Sequence, residues 1–232
     1  MAGFSGTERQ QADYLSQLTT MTPLQTNWFT QLKKYRAIAV IRANDWEIGL
    51  KMAETAIAAG LNLIEITWTS DRADYLISHL REHYPDCQIG TGTILSELDL
   101  KKAIASGADF AFSPHSDPKL VDIAHNADIP MVLGALTPTE IVRAWQWGSD
   151  GVKVFPIKSV GGAQFIKCLQ APLRQIPLIP TGGVTLANYR QLIEAGAIAV
   201  GLSSDLFPTI DTTSQNWPKI TTRIQQYYSL QP

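Results

Sequence analysis

The stretch AAGLNLIEIT, residues 58–67, holds the unit that decides the fold: the end of a helix-like segment followed at once by an apolar, strand-like run. Similar helix exits recur at 105–109 (ASGAD), 147–150 (WGSD) and 194–197 (EAGA). Glycine at such a point supplies the left-handed C-cap that ends a helix before the next strand begins. The chain is therefore built from repeated strand–helix units.

Eight strand-like runs recur about every twenty to twenty-five residues, and each gap holds a helix-like pattern. Eight such units in about 200 residues predict a compact (β/α)8 TIM barrel of the α/β class. A doubly wound open sheet shares the alternation, but the count of eight favours the barrel, as does the lack of a Gly-x-Gly-x-x-Gly at the first helix. The runs are 36–41, 62–67, 87–91, 108–113, 129–133, 150–155, 177–181 and 197–202.

Residues 1–22 are polar and lie outside this repeat, so we expect a flexible N-terminal arm. A short leading helix near 24–34 follows, and it is expected to plug the bottom of the barrel. Residues 23–232 then form a single barrel domain, which suits a chain of 232 residues.

Composition narrows the class of partner. The net charge of -2 gives no electrostatic footprint for nucleic acid or an anionic membrane. Two cysteines do not indicate a disulfide framework, and they fit a reducing cytosol. The N-terminus does not resemble a secretory signal, and no apolar run approaches the roughly 18 residues that span a bilayer. We expect a cytoplasmic protein that binds neither nucleic acid nor membrane.

The run GVKVFP, residues 151–156, places one lysine in the middle of an apolar strand. Lys153 shares a face with Phe155, whereas Val152 and Val154 share the other. Burying a lone ammonium is costly, so an interior position favours the neutral amine that can condense with a carbonyl. The alternative is a lysine whose stem packs while its charged end reaches solvent.

Glu65 lies in the second strand, on the face opposite Ile64 and Ile66. The isoleucines suit packing against outer helices, so the carboxyl group is expected inside the barrel. Burial raises the pKa of a carboxylic acid and lets it exchange protons near neutral pH. A purely structural ion pair with Lys153 is the alternative, and the two roles are not exclusive.

Barrel polarity places binding groups at the C-terminal ends of the strands. Arg42 ends the first strand, where it could grip a substrate carboxylate or form only an exposed salt bridge. Thr93 closes the third strand. Pro114 ends the fourth, where it shapes the pocket or merely terminates the strand.

Barrels commonly bind phosphate in the loops after strands seven and eight, through backbone N–H groups. In this sequence those loops are PTGG at 180–183 and VGLSS at 200–204. Glycine allows close approach of a ligand, and hydroxyl groups add donors. The alternative is glycine that only forms turns. The residues concerned are Gly182, Gly183, Thr181, Ser203 and Ser204.

Three histidines need a separate interpretation. His79 and His83 have i, i+4 spacing with Glu82 between them, but their helix lies on the outer wall and no third ligand is evident, so no metal site is predicted. His115 follows Pro114 at the rim, where we expect a polar loop residue.

Eight segments, in order and correctly spaced, resemble the 2-keto-3-deoxy-6-phosphogluconate (KDPG) aldolase family, which also covers 4-hydroxy-2-oxoglutarate (KHG) aldolases. The resemblance runs from about residue 35 to about residue 207. Its segments are AVIRA (39–43), IEITWT (64–69), GTGT (90–93), SP (113–114), GALTPTE (134–140), KVFP (153–156), PTGG (180–183) and VGLSS (200–204).

The resemblance implies a class I aldolase on a (β/α)8 barrel, usually trimeric, with no metal and no cofactor. It would cleave KDPG or a related 2-keto-4-hydroxy acid, a small and usually phosphorylated molecule, to pyruvate and an aldehyde. It implies that Lys153 forms the Schiff base and Glu65 is the general acid/base. Pocket residues beside the pyruvyl unit would be Thr93 and Pro114, and the phosphate or distal end would lie at Thr181, Gly182, Gly183 and Ser203.

Two positions depart from the family pattern. Many members carry an arginine four residues after the glutamate to hold the substrate carboxylate; here the position is Thr69, so Arg42 is expected to take that role from the neighbouring strand. An acidic residue common after the KVFP-like strand is replaced by Ile157-Lys158. Lys158 adds positive charge near the mouth.

Two other functions stay open from the sequence. A phosphosugar isomerase or synthase on the same barrel would use the phosphate loops without needing an interior lysine. A non-catalytic phosphosugar-binding protein would gain nothing from burying Lys153 and Glu65 together.

Overall fold

The computed structural model describes residues 21–229. The predicted N-terminal arm, 1–22, lies outside the described residues apart from its last two positions. The first helix, α1, spans Pro23–Tyr35 and begins with the Thr22 side chain accepting a hydrogen bond from the Gln25 N–H. A leading helix was expected near 24–34, and this prediction is confirmed.

Eight parallel strands form one sheet in which each strand pairs with its neighbours in the chain. The strands are β1 (Ala37–Ile41), β2 (Leu63–Thr67), β3 (Gln88–Gly92), β4 (Ala111–Phe112), β5 (Met131–Ala135), β6 (Val152–Val154), β7 (Leu178–Pro180) and β8 (Val200–Leu202). β8 pairs with β1, and β7 meets β8 through the Thr181–Gly201 bridge and the Ile198 N–H···O=C Leu178 bond of 3.0 Å. The sheet therefore closes into the predicted (β/α)8 barrel rather than an open doubly wound sheet.

Helices follow the strands around the outside of this barrel. They are α2 (Trp46–Ala58), α3 (Ala73–His83), α4 (Glu97–Ala105), α5 (Pro118–His125), α6 (Pro138–Gln146), α7 (Ala163–Leu173), α8 (Leu186–Glu194), α9 (Thr209–Thr213) and α10 (Trp217–Ser229), with a 3₁₀ turn at Ile157–Val160. The helix exits behave as the repeat predicts, because each exit glycine has a left-handed φ that a β-carbon would strain. The angles are 103° at Gly60, 90° at Gly107, 86° at Gly148 and 108° at Gly196.

Four predicted strands are shorter than their apolar runs by two or more residues. Two of them, β7 and β8, pair over three residues of the runs 177–181 and 197–202. The run 108–113 forms a strand only at Ala111–Phe112. The run 150–155 begins its strand at Val152, because Gly151 has a φ of 115°, outside the β region. In all four runs, apolar composition overstates the length of regular pairing.

Strand residues alternate between two hydrophobic layers. Ile64, Ile66, Val152 and Val154 face the outer layer, against the helices. The inner layer fills the inside of the barrel from the end where the strands begin up to Phe112, and α1 packs against it. Inner-layer residues are Trp28, Phe29, Leu32, Ile38, Val40, Leu63, Phe110, Phe112, Val132, Ile179, Ile198 and Ala199.

The leading helix plugs this end through Trp28. Its ring lies 5.0 Å from that of Phe110, centroid to centroid, and is 2 % exposed. Its indole Nε1 donates to the Asp150 carbonyl oxygen at 2.9 Å, so the polar edge of the ring is satisfied. The lower barrel is thereby filled, and space for a ligand is left at the opposite mouth.

The Asp150 side chain connects two more elements. Its buried Oδ2 accepts from His125 Nε2 at 2.8 Å and from the Met131 N–H at 2.8 Å. The hydrogen bond to Asp150 raises the pKa of His125, although partial burial of the imidazole opposes the rise. Asp150 thus ties the end of α5, the start of β5 and α1 to the segment that leads into β6.

Within residues 21–229, every helix is too short or too polar to cross a bilayer.

The His125–Asp150 bond should make stability depend on pH. The folded-state pKa of His125 lies above the unfolded value of about 6.5, so the stabilisation is complete below about pH 6.5 and is lost as pH rises through the folded value. In thermal denaturation, the loss of stability of His125→Gln relative to the wild type should be largest near pH 5.5 and smallest near pH 8.5. Because the imidazole is 34 % exposed, we expect a difference of only about 0.5–1 kcal/mol.

The matched control is His83→Gln, which alters an exposed histidine whose Nδ1 meets only the His79 carbonyl oxygen. This variant should follow the wild type at each pH. A His125→Gln deficit that stays constant from about pH 5.5 to about 8.5 would contradict the assignment, since only the charged imidazole carries the pH-dependent part.

Candidate active site

The interior lysine lies on β6 as the strand period predicts. Lys153 is 5 % exposed and points into the barrel, while its strand neighbours face the outer helices. Its Nζ lies 5.7 Å from the ring centroid of Phe112 and 5.6 Å from that of Phe155. The amine therefore sits between two aromatic rings near the top of the barrel and does not extend into solvent.

Glu65 faces this amine from β2. Its Oε1 lies 3.9 Å from Lys153 Nζ, and the side chain is 2 % exposed. Burial raises the pKa of Glu65, and the nearby positive charges of Lys153 and Arg42 oppose that rise. Oε1 has no hydrogen-bond partner among the described residues. The pair is close enough to exchange a proton through a bound molecule, yet it is not a tight hydrogen-bonded ion pair.

The space for the Glu65 carboxyl group is created by a glycine. Gly92 lies beside Glu65 on the paired strand β3, and a β-carbon at position 92 would overlap Glu65 Oε1 and Cδ. Any side chain there would push the carboxyl group away from the amine. A glycine in a strand interior is explained here by the close approach of another side chain.

Arg42, just beyond β1, lies at the mouth with two threonines. Its Nη1 donates to Thr69 Oγ1 at 2.8 Å and its Nη2 donates to Thr93 Oγ1 at 3.2 Å. Thr93 has a φ of 60°, a conformation uncommon for a residue with a branched side chain. No carboxylate oxygen of the described residues forms a salt bridge with Arg42, so within residues 21–229 the rim salt bridge considered from the sequence is not formed.

Pro114 lines a cavity of about 310 Å³ outside β4, β5 and β6. Phe155, whose ring faces Lys153, lines the same cavity. His115 also lines it, with Nδ1 2.8 Å from the buried Ser113 Oγ. Pro114 and His115 therefore both contribute to a pocket wall, and His115 is held in place through Ser113.

The two glycines after β7 expose their amides. Gly182 and Gly183 have φ angles of 86° and 83°, and within residues 21–229 neither N–H donates to a protein acceptor. The Lys158 N–H donates to the Gly182 carbonyl oxygen at 3.1 Å, and the Lys158 stem covers Gly183, where a β-carbon would overlap it. The 3₁₀ turn after β6 thus packs directly on the glycine loop.

Two of the three hydroxyls predicted beside these glycines, those of Thr181 and Ser203, are turned toward the backbone. Thr181 Oγ1 lies 3.4 Å from the Ile179 carbonyl oxygen and packs on Gly201 at the β7–β8 seam. Ser203 Oγ donates to the Val40 carbonyl oxygen at 2.9 Å. Both residues lie at the expected strand ends, and the Ser203 hydroxyl hydrogen is used in the bond to Val40, whereas the Thr181 contact is long for a hydrogen bond. The glycine amides are therefore the clearest donors for a ligand at this end.

Sequence reasoning placed Phe155 on the same face as Lys153 but gave neither aromatic ring a role beside the amine. Phe155 was available, because it follows the lysine by two residues and shares its face. Phe112 required knowing that β4 approaches β6 across the barrel. The outer-wall histidines behave differently: the rings of His79 and His83 stack at 4.0 Å, and the described part of the chain holds no cluster of three or more His, Cys, Asp or Glu suited to a metal ion.

Known proteins share this arrangement of strands and sequence. The 2-dehydro-3-deoxy-phosphogluconate aldolase of Haemophilus influenzae is 33% identical to this chain over 190 residues. The match covers 82% of this chain and 90% of the Haemophilus protein. The KDPG aldolase of Legionella pneumophila, solved with pyruvate captured at low pH as a covalent carbinolamine intermediate, is 27% identical with a TM-score of 0.77. That match covers 84% of this chain and 94% of the Legionella chain.

A third match is a designed protein cage made by fusing symmetric oligomeric domains, 27% identical with a TM-score of 0.77. It covers 85% of this chain and 72% of the cage chain. The sequence model of the KDPG and KHG aldolase family matches residues 29–223, which include every residue of the site described above. The chain belongs to the KDPG and KHG aldolase family.

Proposed function

We propose that this protein is a class I aldolase that cleaves KDPG, or a related 2-keto-4-hydroxy acid, to pyruvate and an aldehyde. The observation that carries the proposal is the buried pair in the barrel mouth, with Lys153 Nζ 3.9 Å from Glu65 Oε1. Membership of the KDPG and KHG aldolase family supports the same reaction. The aldehyde would be glyceraldehyde 3-phosphate from KDPG, or glyoxylate from KHG.

The reaction begins at Lys153. Its neutral amine attacks the C2 keto carbon, and the carbinolamine loses water to give an iminium. The iminium accepts the electron pair of the breaking C3–C4 bond, which leaves an enamine and releases the aldehyde. Protonation of the enamine at C3 and hydrolysis of the iminium then free pyruvate and regenerate the amine.

Glu65 would move the protons of this sequence. It protonates the departing hydroxyl of the carbinolamine and removes the proton of the C4 hydroxyl as the carbon–carbon bond breaks. Burial raises the pKa of Glu65, so both of its protonation states are accessible closer to neutral pH than for an exposed glutamate. The lack of a tight bond to Lys153 leaves the carboxyl group free to turn to the substrate.

The mouth of the barrel would bind the substrate at two places, its carboxylate and its distal phosphate. Arg42, with Thr93, would hold the carboxylate of the pyruvyl unit, since a guanidinium matches a carboxylate bidentately. Pro114 and Phe155 would form the apolar wall beside it. The amides of Gly182 and Gly183, with the Lys158 ammonium nearby, would receive a distal phosphate. Thr181 and Ser203 would shape that end through the backbone bonds of their hydroxyls.

The alternatives from the sequence lack a comparable observation. A phosphosugar isomerase or synthase does not need an amine enclosed by two aromatic rings beside a carboxyl group. A binding protein would bear the desolvation cost of both buried groups without using either.

We also propose that the protein assembles as a homotrimer. The resemblance to a family whose members are usually trimeric supports this, as does the similarity to a cage chain made from symmetric oligomeric domains. Sedimentation equilibrium would give the number of subunits.

Pyruvate with borohydride should add one reduced pyruvyl group per chain, at Lys153. The imine forms only where a neutral amine meets the keto carbon, and reduction makes the bond permanent. Peptide mapping by mass spectrometry identifies the position. Lys153→Ala should abolish labelling and cleavage, and Lys167→Ala, which alters an exposed lysine of α7, should keep both. Labelling at Lys158, or full activity in Lys153→Ala, would overturn the mechanism.

Glu65→Gln keeps the side-chain shape and removes the titrating group. Turnover should fall by about 10²–10⁴-fold, whereas pyruvate binding should weaken much less. Steady-state cleavage kinetics with pyruvate titration measure both quantities, and Glu54→Gln on the outer helix α2 is the control. Unchanged turnover with a lowered melting temperature would show that Glu65 serves only as a structural partner of Lys153.

A phosphorylated substrate should exceed its unphosphorylated analogue in kcat/KM, mainly through KM, because the glycine amides bind a dianion. Gly183→Val should remove most of this preference and spare pyruvate trapping at Lys153, since the new side chain would displace Lys158. Gly107→Ala, which imposes similar strain at a left-handed φ of 90° where the outer helix α4 ends, is the control. If KHG is cleaved as well as KDPG and inorganic phosphate does not compete, the phosphate assignment fails while the lyase assignment survives.

A further inference from the structure

Arg42 is held at the mouth by a loop of the neighbouring strand. The loop that follows β2 begins at Trp68, and its Thr69 hydroxyl accepts the shortest hydrogen bond of the Arg42 guanidinium, at 2.8 Å from Nη1. Thr93, after β3, accepts a second bond from Nη2 at 3.2 Å. Arginine side chains have many rotamers, and these two bonds select one of them.

The same loop also holds the backbone on both sides of Arg42. The buried Ser70 Oγ accepts from the Ala43 N–H at 3.2 Å and lies 3.4 Å from the Ile41 carbonyl oxygen. One residue further, the Asp71 N–H donates to the Ala43 carbonyl oxygen at 2.9 Å. The loop after β2 therefore fixes the backbone of Arg42 as well as its side chain.

The acceptors of these bonds are neutral hydroxyls. A guanidinium has five N–H donors, so two bonds to threonine leave three, enough for a bidentate carboxylate. A carboxylate partner in place of the threonines would neutralise the charge and occupy the donor edge. Two hydroxyls instead hold the group in place and preserve its charge for an anion.

We infer that Thr69 is a positioning residue for the proposed reaction: its hydroxyl holds the Arg42 guanidinium in the orientation that receives the carboxylate of a 2-keto acid. This inference rests on the proposed function. Thr69 acts through Arg42, and its contribution is preorganisation, because the arginine does not have to be ordered when the substrate binds. Thr69 is exposed at the mouth and is not part of the core, so its substitution should leave the fold intact.

The test uses two probes of similar size, pyruvate and its neutral amide, pyruvamide, in which an NH2 group replaces one oxygen of the charged carboxylate. Borohydride trapping at Lys153 gives the half-saturating concentration of each. Thr69→Val keeps the side-chain shape and removes the hydrogen-bond acceptor. It should raise the half-saturating concentration of pyruvate by about 5- to 20-fold, as expected for a lost hydrogen bond to a charged group. The half-saturating concentration of pyruvamide should change by less than about twofold. Thr69→Ser, which keeps the hydroxyl, should retain the wild-type preference for pyruvate.

A double-mutant cycle with Arg42→Met separates positioning from direct contact. If Thr69 acts through Arg42, then adding Thr69→Val to Arg42→Met should change the preference for pyruvate no further. Thr55→Val is the matched control, because its hydroxyl bonds only to the Lys51 carbonyl oxygen on the outer helix. This variant should keep the wild-type preference.

Two outcomes would overturn the inference while leaving the aldolase assignment intact. One is a Thr69→Val variant with the wild-type preference for pyruvate. The other is an equal loss on adding Thr69→Val to Arg42→Met, which would mean that the hydroxyl contacts the substrate itself. If the wild type is labelled by neither probe, the proposed function fails, and this inference fails with it.

Discussion

The structure depends on how one amine and one carboxyl group are kept together inside a barrel. Removing two ionisable groups from water is costly, and their attraction repays the cost only when the geometry is good. At 3.9 Å, Lys153 and Glu65 are near enough to influence each other but do not form a tight pair. Two aromatic rings and the missing side chain at Gly92 maintain that spacing. A structural ion pair would have no need of such a gap, whereas a substrate does.

Hydrophobic side chains fill the barrel at the end opposite the mouth. The inner layer around Trp28 fills the lower barrel, and α1 closes it. Because α1 and the aromatic residues around Trp28 fill the lower barrel, the mouth is left to hold polar groups that have no partners among the described residues. This division explains how Glu65 Oε1 and the amides of two glycines can remain without partners among the described residues.

Much of this arrangement follows from sequence. A two-residue period places Lys153 and Glu65 inside, and the exit glycines give the helix boundaries. Strand lengths were harder to predict from the sequence, because the positive φ of Gly151 delays the start of β6 within an apolar run. Hydroxyl directions could not be inferred either: Thr181 and Ser203 turn to backbone carbonyl oxygens that only the folded barrel brings near. The Arg42–Thr69 bond joins residues 27 apart in the chain, and it depends on loop geometry that no local pattern encodes.

The turn after β6 has a consequence for any redesign of this barrel. Ile157–Val160 continues from the strand that carries Lys153, and the N–H groups of Ile157 and Lys158 bond to the carbonyl oxygens of Thr181 and Gly182. Grafting a foreign loop here to accept another aldehyde would release these bonds and with them the end of the strand. The two halves of the mouth are therefore not interchangeable modules. Point exchanges at the Lys158 side chain, which leave the main-chain bonds in place, are the safer route to altered selectivity.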